Sequence, residues 1–259
     1  MICLVCRRRP TIRAHLIPKC FALDIRAEGD TDMAVTKAMT DNFRLLKAGK
    51  FDPDLLCTVC DGHLGDHENY AFGALNKMNE LSGGLRPWLG VETTLLDVDR
   101  FLRFCAGIIW KYASTRADLG RIEIGPLYQD VLQRVAFDNA AIPSSIDALL
   151  FRLGTQDAGS TFYREPKPDR QLGVNIVRFS LAHFVVFLKL DQRKSDHPPP
   201  GSEWIREDGP VKFIIVPFNL FEEGRFSLES RQSNERLRRF LDRRDGVGQG
   251  RSGRPIKAN

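Results

Sequence analysis

Two Cys-x-x-Cys pairs, Cys3/Cys6 and Cys57/Cys60, bracket the run Arg13-Ala14-His15-Leu16-Ile17-Pro18-Lys19. One such pair alone would also fit a redox motif. Two of them, each with the spacing of a zinc knuckle, predict a closed tetrahedral site of four thiolates, the structural kind with no open position for chemistry. A metal there clamps the chain near position 3 to the chain near position 60, so the segment between becomes one small module. His15 stands alone inside that module, followed by two apolar residues and Pro18. It has two readings: a satisfied core histidine, as isolated histidines usually are, or a functional group set beside a zinc clamp on a proline-terminated strand. Cys20 and Cys105 are left over. Cys105 lies on an apolar helix face and reads as a small buried hydrophobe.

Charge is unevenly placed around this module. Residues 1 to 23 carry Arg7, Arg8, Arg9, Arg13 and Lys19 and no acid, whereas residues 51 to 76 carry Asp52, Asp54, Asp61, Asp66 and Glu68 and no Lys or Arg. Guanidinium groups suit a phosphate backbone and carboxylates suit a divalent cation, so the pair of segments reads as a phosphate site. The alternative is two solvated surfaces of opposite sign that pair with each other. A second basic region lies at the other end, where residues 225 to 259 hold ten Lys/Arg against four Asp/Glu. That is +6 of a chain total of +5. On a helix Arg236, Arg239 and Arg243 share one face, a cationic stripe for phosphates or an ordinary solvated face.

The succession Cys-x-x-Cys, His15-Leu16-Ile17-Pro18, Leu55-Leu56-Cys57-x-x-Cys60-Asp61 resembles the HNH endonuclease family, whose motif folds as a ββα-metal finger. Among bacterial HNH-like proteins the likeness extends to Phe51-Asp52-Pro53-Asp54, to Glu68-Asn69-Tyr70-Ala71 and to the run Phe101 to Lys111. What this resemblance implies is a general base at His15, polarising water for attack on a phosphodiester. It also implies a catalytic Mg2+ or Mn2+ beside the structural Zn2+, with Asp61 as a carboxylate ligand. The family's other ligand slot, just before the histidine, is Ala14, which has no donor, leaving Glu68, His63 and His67 as candidates to complete the site. The asparagine that orients the histidine loop has no clear counterpart; Asn42 is the only asparagine between His15 and Cys57. The implied partner is nucleic acid, DNA before RNA, in a phage-defence or mobile-element setting. The implied alternative is a catalytically impaired zinc finger that binds nucleic acid or another protein.

No apolar run approaches the roughly 18 residues needed to span a bilayer, and the N-terminus lacks the apolar stretch of a signal peptide. The expectation is a cytoplasmic protein with no membrane partner, where thiols stay reduced and paired Cys-x-x-Cys means metal. The predicted fold class is α+β. A zinc-stabilised ββα module (1–81) precedes a mixed helical and antiparallel-sheet domain (82–224), open to a protein partner, and a basic helix with a disordered tail (225–259). Asp61 to Leu81 reads as the finger's helix. Asp97 is the N-cap of a helix through Ser114 whose apolar stripe widens nearly all round, placing it in the core rather than in a base-stacking platform. Further helices are predicted over 126–138 and 143–153, the latter opened by Pro143-Ser144. Strands are predicted over Leu172–Leu181, His183–Leu190 and Val211–Leu220, the first two as a hairpin. Asp191 to Pro210 reads as a long exposed loop, His183 and His197 as structural or solvent-facing, and Ser227 to Arg244 as a last helix.

Overall fold

The computed structural model describes residues 1–24, 33–36, 43–46, 49–154, 163–206, 209–235 and 238–239. Near the N-terminus a short strand β1 (Ala14–His15) pairs antiparallel with β4 (Phe51–Asp52), and helix α1 (Lys19–Asp24) and the hairpin β2 (Met33–Thr36) and β3 (Phe43–Leu46) lie between them in sequence. Helix α2 (Thr58–Leu81) follows, opening at the second cysteine pair. Then come β5 (Gly90–Thr93), α3 (Val98–Ser114), a single 3-10 turn (Ala117–Leu119) and α4 (Pro126–Phe137). The remainder is β6 (Ile146–Gly154), β7 (Arg164–Gln171), β8 (Val174–Leu181), β9 (Phe184–Leu190), β10 (Val211–Pro217) and α5 (Glu222–Ser233).

Six strands form one mixed sheet in the order β5-β10-β6-β9-β8-β7, parallel only between β10 and β6. Strand side chains alternate between faces. On one face Ala148, Leu150, Phe179, Val186, Leu188 and Phe213 pack against the helices, in a core that runs continuously from Cys3 to Phe213. On the other, Leu149, Phe151, Ile176, Val185, Phe187 and Ile214 are covered by Trp204, Phe218 and Phe221. The chain is thus α+β, as its sequence predicts, with one parallel pair added to the expected antiparallel sheet.

Helix α3 is the hub. Asp97 caps it as expected, its carboxylate accepting the Arg100 amide at 3.0 Å, and fourteen of its seventeen residues are buried, so it is enclosed by α2, α4 and the sheet. Leu64 lies so close that a Cβ on Gly107 would meet its Cδ2 at 2.7 Å; the glycine is what lets α2 and α3 approach.

The helix predicted over 143–153 is instead strand β6. Pro143 and Ser144 form a turn, closed by the Ile146 amide on the Pro143 carbonyl at 3.0 Å, and eight of nine β6 residues are buried. A strand covered on both faces loses its alternation and reads as a continuous apolar run, indistinguishable by periodicity from a buried helix. The polar edge strand β7, containing Pro166 and Pro168, carries no apolar signal at all; at an edge proline costs no ladder bond. The last helix begins at Glu222, five residues earlier than predicted, and Arg236 and Arg243 fall outside the described residues. The described residues of 191–206 and 209–210 form no helix or strand, but the segment is anchored: Ile205 bridges Ala148 and is buried.

Candidate metal centre and the His15 site

The four predicted cysteines converge. The Sγ atoms of Cys3, Cys6, Cys57 and Cys60 all lie within 4.8 Å of one another, and Cys6 and Cys57 are 3.7 Å apart. Tetrahedral Zn–S bonds of about 2.3 Å require sulfurs about 3.8 Å apart, so this set can hold a structural zinc ion. Local backbone makes the cage. The Arg7 amide donates to the Cys3 carbonyl at 3.1 Å and the Cys3 amide to the Arg9 carbonyl at 2.9 Å, a tight turn for which Arg7 adopts a left-handed φ of 54°. The second pair sits on the first turn of α2, with Cys57 at its N-cap and the Asp61 amide donating to the Cys57 carbonyl. The amides of Arg8 and Arg9 bond the Cys6 sulfur and draw its pKa down to about 6, the Arg8 bond contributing most. Burial, then the neighbouring cysteines Cys57 and Cys3, push Cys60 in the opposite direction. Four thiolates this close repel one another, and a divalent soft cation removes that cost. Among the described residues, no other group of three or more His, Cys, Asp or Glu is so arranged.

His15 lies on β1, opposite Phe51 of β4, with ring centroids 4.4 Å apart; the Arg13 guanidinium covers the same Phe51 ring at 4.6 Å. Its backbone carbonyl accepts a hydrogen bond from Lys111 Nζ at 2.8 Å, and the same ammonium meets Glu68 Oε1 at 2.6 Å. Lys111 comes from α3, between Trp110 and Tyr112, and is 1% exposed. Asp61 and Glu68, seven residues apart on α2, share one helix face. Burial raises the Asp61 carboxyl; Lys111 opposes that and Glu68 adds to it, so all three charges are within reach of one another.

His63 and His67 project from a different side of α2. Their rings stand edge to face at 5.5 Å, and His63 stacks on Phe137 of α4. His67 is held below its ordinary pKa first by burial, then by His63, Arg103 and Arg100. That cluster, near Arg103 and Arg100 on the α3–α4 side, does not complete a cation site beside Asp61; of the other three candidate ligands only Glu68 shares a helix face with Asp61. Ala14 is fully buried. Burial, with Glu68 adding, pushes the Cys20 thiol up to about 11, which keeps it protonated, and Tyr70 of the matched Glu-Asn-Tyr-Ala stretch bonds the Asp97 amide at the α3 cap.

The basic residues Arg7, Arg8, Arg9, Arg13 and Lys19 are all exposed. The acids of the second segment do not neutralise them: Glu68 pairs with Lys111, Asp54 reaches Arg116 at 4.0 Å, and Asp52 is buried, accepting the Thr115 hydroxyl at 2.5 Å. At the other end Arg239 pairs with Glu235 at 2.6 Å, four residues earlier on the chain. His183 is held low by burial and by Arg152 and lies at the β8–β9 turn, remote in chain from the cysteine module.

No family model, no curated protein and no solved structure matches the chain. Sequence reasoning missed Lys111. Its signal was a lone lysine inside the apolar run Phe104 to Ala113, at a helical phase that buries it.

Proposed function

We propose that this protein is a metal-dependent endonuclease of the HNH type, cleaving or nicking DNA by phosphodiester hydrolysis. One observation carries the reading: the strand bearing His15 pairs with Phe51–Asp52 and leads, through the four-cysteine cage, into a helix whose first turn presents Asp61. This order and pairing support the reading of a ββα-metal finger with residues 16–50 inserted between its strands. In this reading zinc is a staple that fixes the angle between strand pair and helix. His15 accepts a proton from the water that attacks phosphorus, and packing against Phe51 restrains its ring. Arg7, Arg8, Arg9, Arg13 and Lys19 hold the strand being cut by its phosphates, exposed and unneutralised by the nearby acids. A magnesium or manganese ion on Asp61, keeping most of its waters, would supply Lewis-acid stabilisation of the leaving 3′ oxygen.

The test is supercoiled plasmid with Mg2+ or Mn2+, comparing wild type with His15→Ala. Removal of a general base is expected to slow nicking at least about 100-fold. Equal rates would remove His15 from the mechanism. A second reading has its own observation. Ala14 is buried without a donor and Glu68 is engaged by Lys111, which leaves one carboxylate for a catalytic cation. That favours a finger that binds nucleic acid without cutting it. Salt-dependent DNA binding by a protein that never nicks would select this reading, and loss of both would leave a zinc-stapled interaction module.

A further inference from the structure

A buried ammonium is held by oxygens alone: Glu68 Oε1 at 2.6 Å and the His15 carbonyl at 2.8 Å. A carboxylate and a backbone carbonyl converging on one point form the donor set that hard divalent cations take. Here the point is filled from the protein's own core, by a residue flanked by fully buried Trp110 and Tyr112 on the hub helix. Dehydrating a lysine costs several kcal/mol unless oxygens replace its water. This chain accepts that cost at the one place where the His15 strand, the zinc-opened helix and the central helix meet.

We propose that Lys111 is the resident cation of this site: its ammonium takes the seat of a divalent ion, so Glu68 is not a metal ligand in the native protein. Lys111 is 1% exposed and touches no substrate; it is a positioning residue. By bonding the His15 carbonyl it fixes the strand from which the imidazole projects. By neutralising Glu68 it removes one negative charge from beside Asp61, where a phosphodiester must approach. The roles around His15 rest on the nuclease reading above. The claim about Glu68 rests on the oxygen geometry.

The experiment is Mn2+ binding, followed by the loss of the free-ion electron paramagnetic resonance signal, on full-length protein already loaded with zinc. Wild type and Glu68→Gln are expected to bind Mn2+ alike. Lys111→Met should gain a Mn2+ at least tenfold more tightly than wild type, Lys111→Arg should gain none, and adding Glu68→Gln to Lys111→Met should abolish the gain. A folded Lys111→Met without that gain overturns the proposal, as does a tenfold loss in Glu68→Gln alone. Where Lys111→Met fails to retain zinc and helicity, the comparison of wild type with Glu68→Gln decides: equal affinities support the proposal and a tenfold loss overturns it. Plasmid nicking on the same samples keeps the two claims apart. The expected Mn2+ pattern without any nicking would sink the nuclease reading and leave Lys111 as the resident cation.

Discussion

Asp147 shows how a single side chain sets a pH dependence in this protein. It lies near the start of β6, 9% exposed, and its Oδ1 accepts the Ala148 amide at 2.9 Å. Burial pushes its carboxyl from 3.8 up to about 6; the Ala148 amide, Arg206 and Lys189 oppose that without cancelling it. Because the folded state holds the proton more tightly than the unfolded chain, stability is present at low pH. It falls as pH rises from about 4 through about 6, and stays reduced above. Asp147→Asn is therefore expected to raise stability at pH 7 to 8 by on the order of 2 kcal/mol and to change little at pH 4. Urea unfolding at the two pH values checks it, and equal differences at both would disprove the assignment. Asp191 behaves oppositely: Arg193 grips its carboxylate at 2.6 Å and holds it well below the usual range, so its contribution is present at neutral pH and is lost progressively as pH falls below about 4.

At the scale of elements, glycines separate positions where backbone is tightly packed from positions where it is merely flexible. A Cβ on Gly90 of β5 would lie 2.8 Å from both the Cα and the carbonyl oxygen of Gly201, backbone that cannot rotate away. Gly90→Ala should therefore push the turn at Gly201 off the sheet edge and cost about 2 kcal/mol. Gly73, inside α2, has nothing within 4 Å of its would-be Cβ, so Gly73→Ala should stabilise by about 0.5–1 kcal/mol. The same substitution is expected to act with opposite signs at the two sites, and a shared sign in chemical denaturation would refute the packing argument. The α3 cap belongs to the same scale. Asp97→Ala removes the acceptor of the Arg100 amide and should cost about 1 kcal/mol, read as a shift in midpoint with unchanged urea dependence.

The whole molecule is joined through the cysteine cage. Cys3, Cys57 and Cys60 belong to the same apolar core as Phe104, Trp110 and Phe213. A structural zinc in comparable sites is worth about 10 kcal/mol or more, comparable to the stability of an entire domain. Chelation is expected to release one zinc per chain and to remove amide exchange protection from α2. Since Leu64 of α2 packs onto Gly107, protection in α3 should fall with it. Elemental analysis with hydrogen exchange measures both, and a metal-free protein with undiminished protection would remove the zinc assignment.

What the sequence determined by itself is whatever is encoded locally. Two pairs of cysteines at knuckle spacing specify their own convergence, Asp97 before an apolar stripe specifies a cap, and the β8–β9 hairpin follows from two β-branched runs. That no helix among the described residues is long and apolar enough to cross a membrane was equally legible, because it depends on run length alone. The remainder needed tertiary structure. Strand β6 looked helical because burial on both faces erased its alternation, and β7 was silent because an edge strand need bury little. The His15 site was half visible. The cysteines are fixed by spacing, whereas the meeting of Glu68 with Lys111 depends on how α3 docks against α2. Such a docking joins residues 43 positions apart in the chain, and no local pattern encodes it.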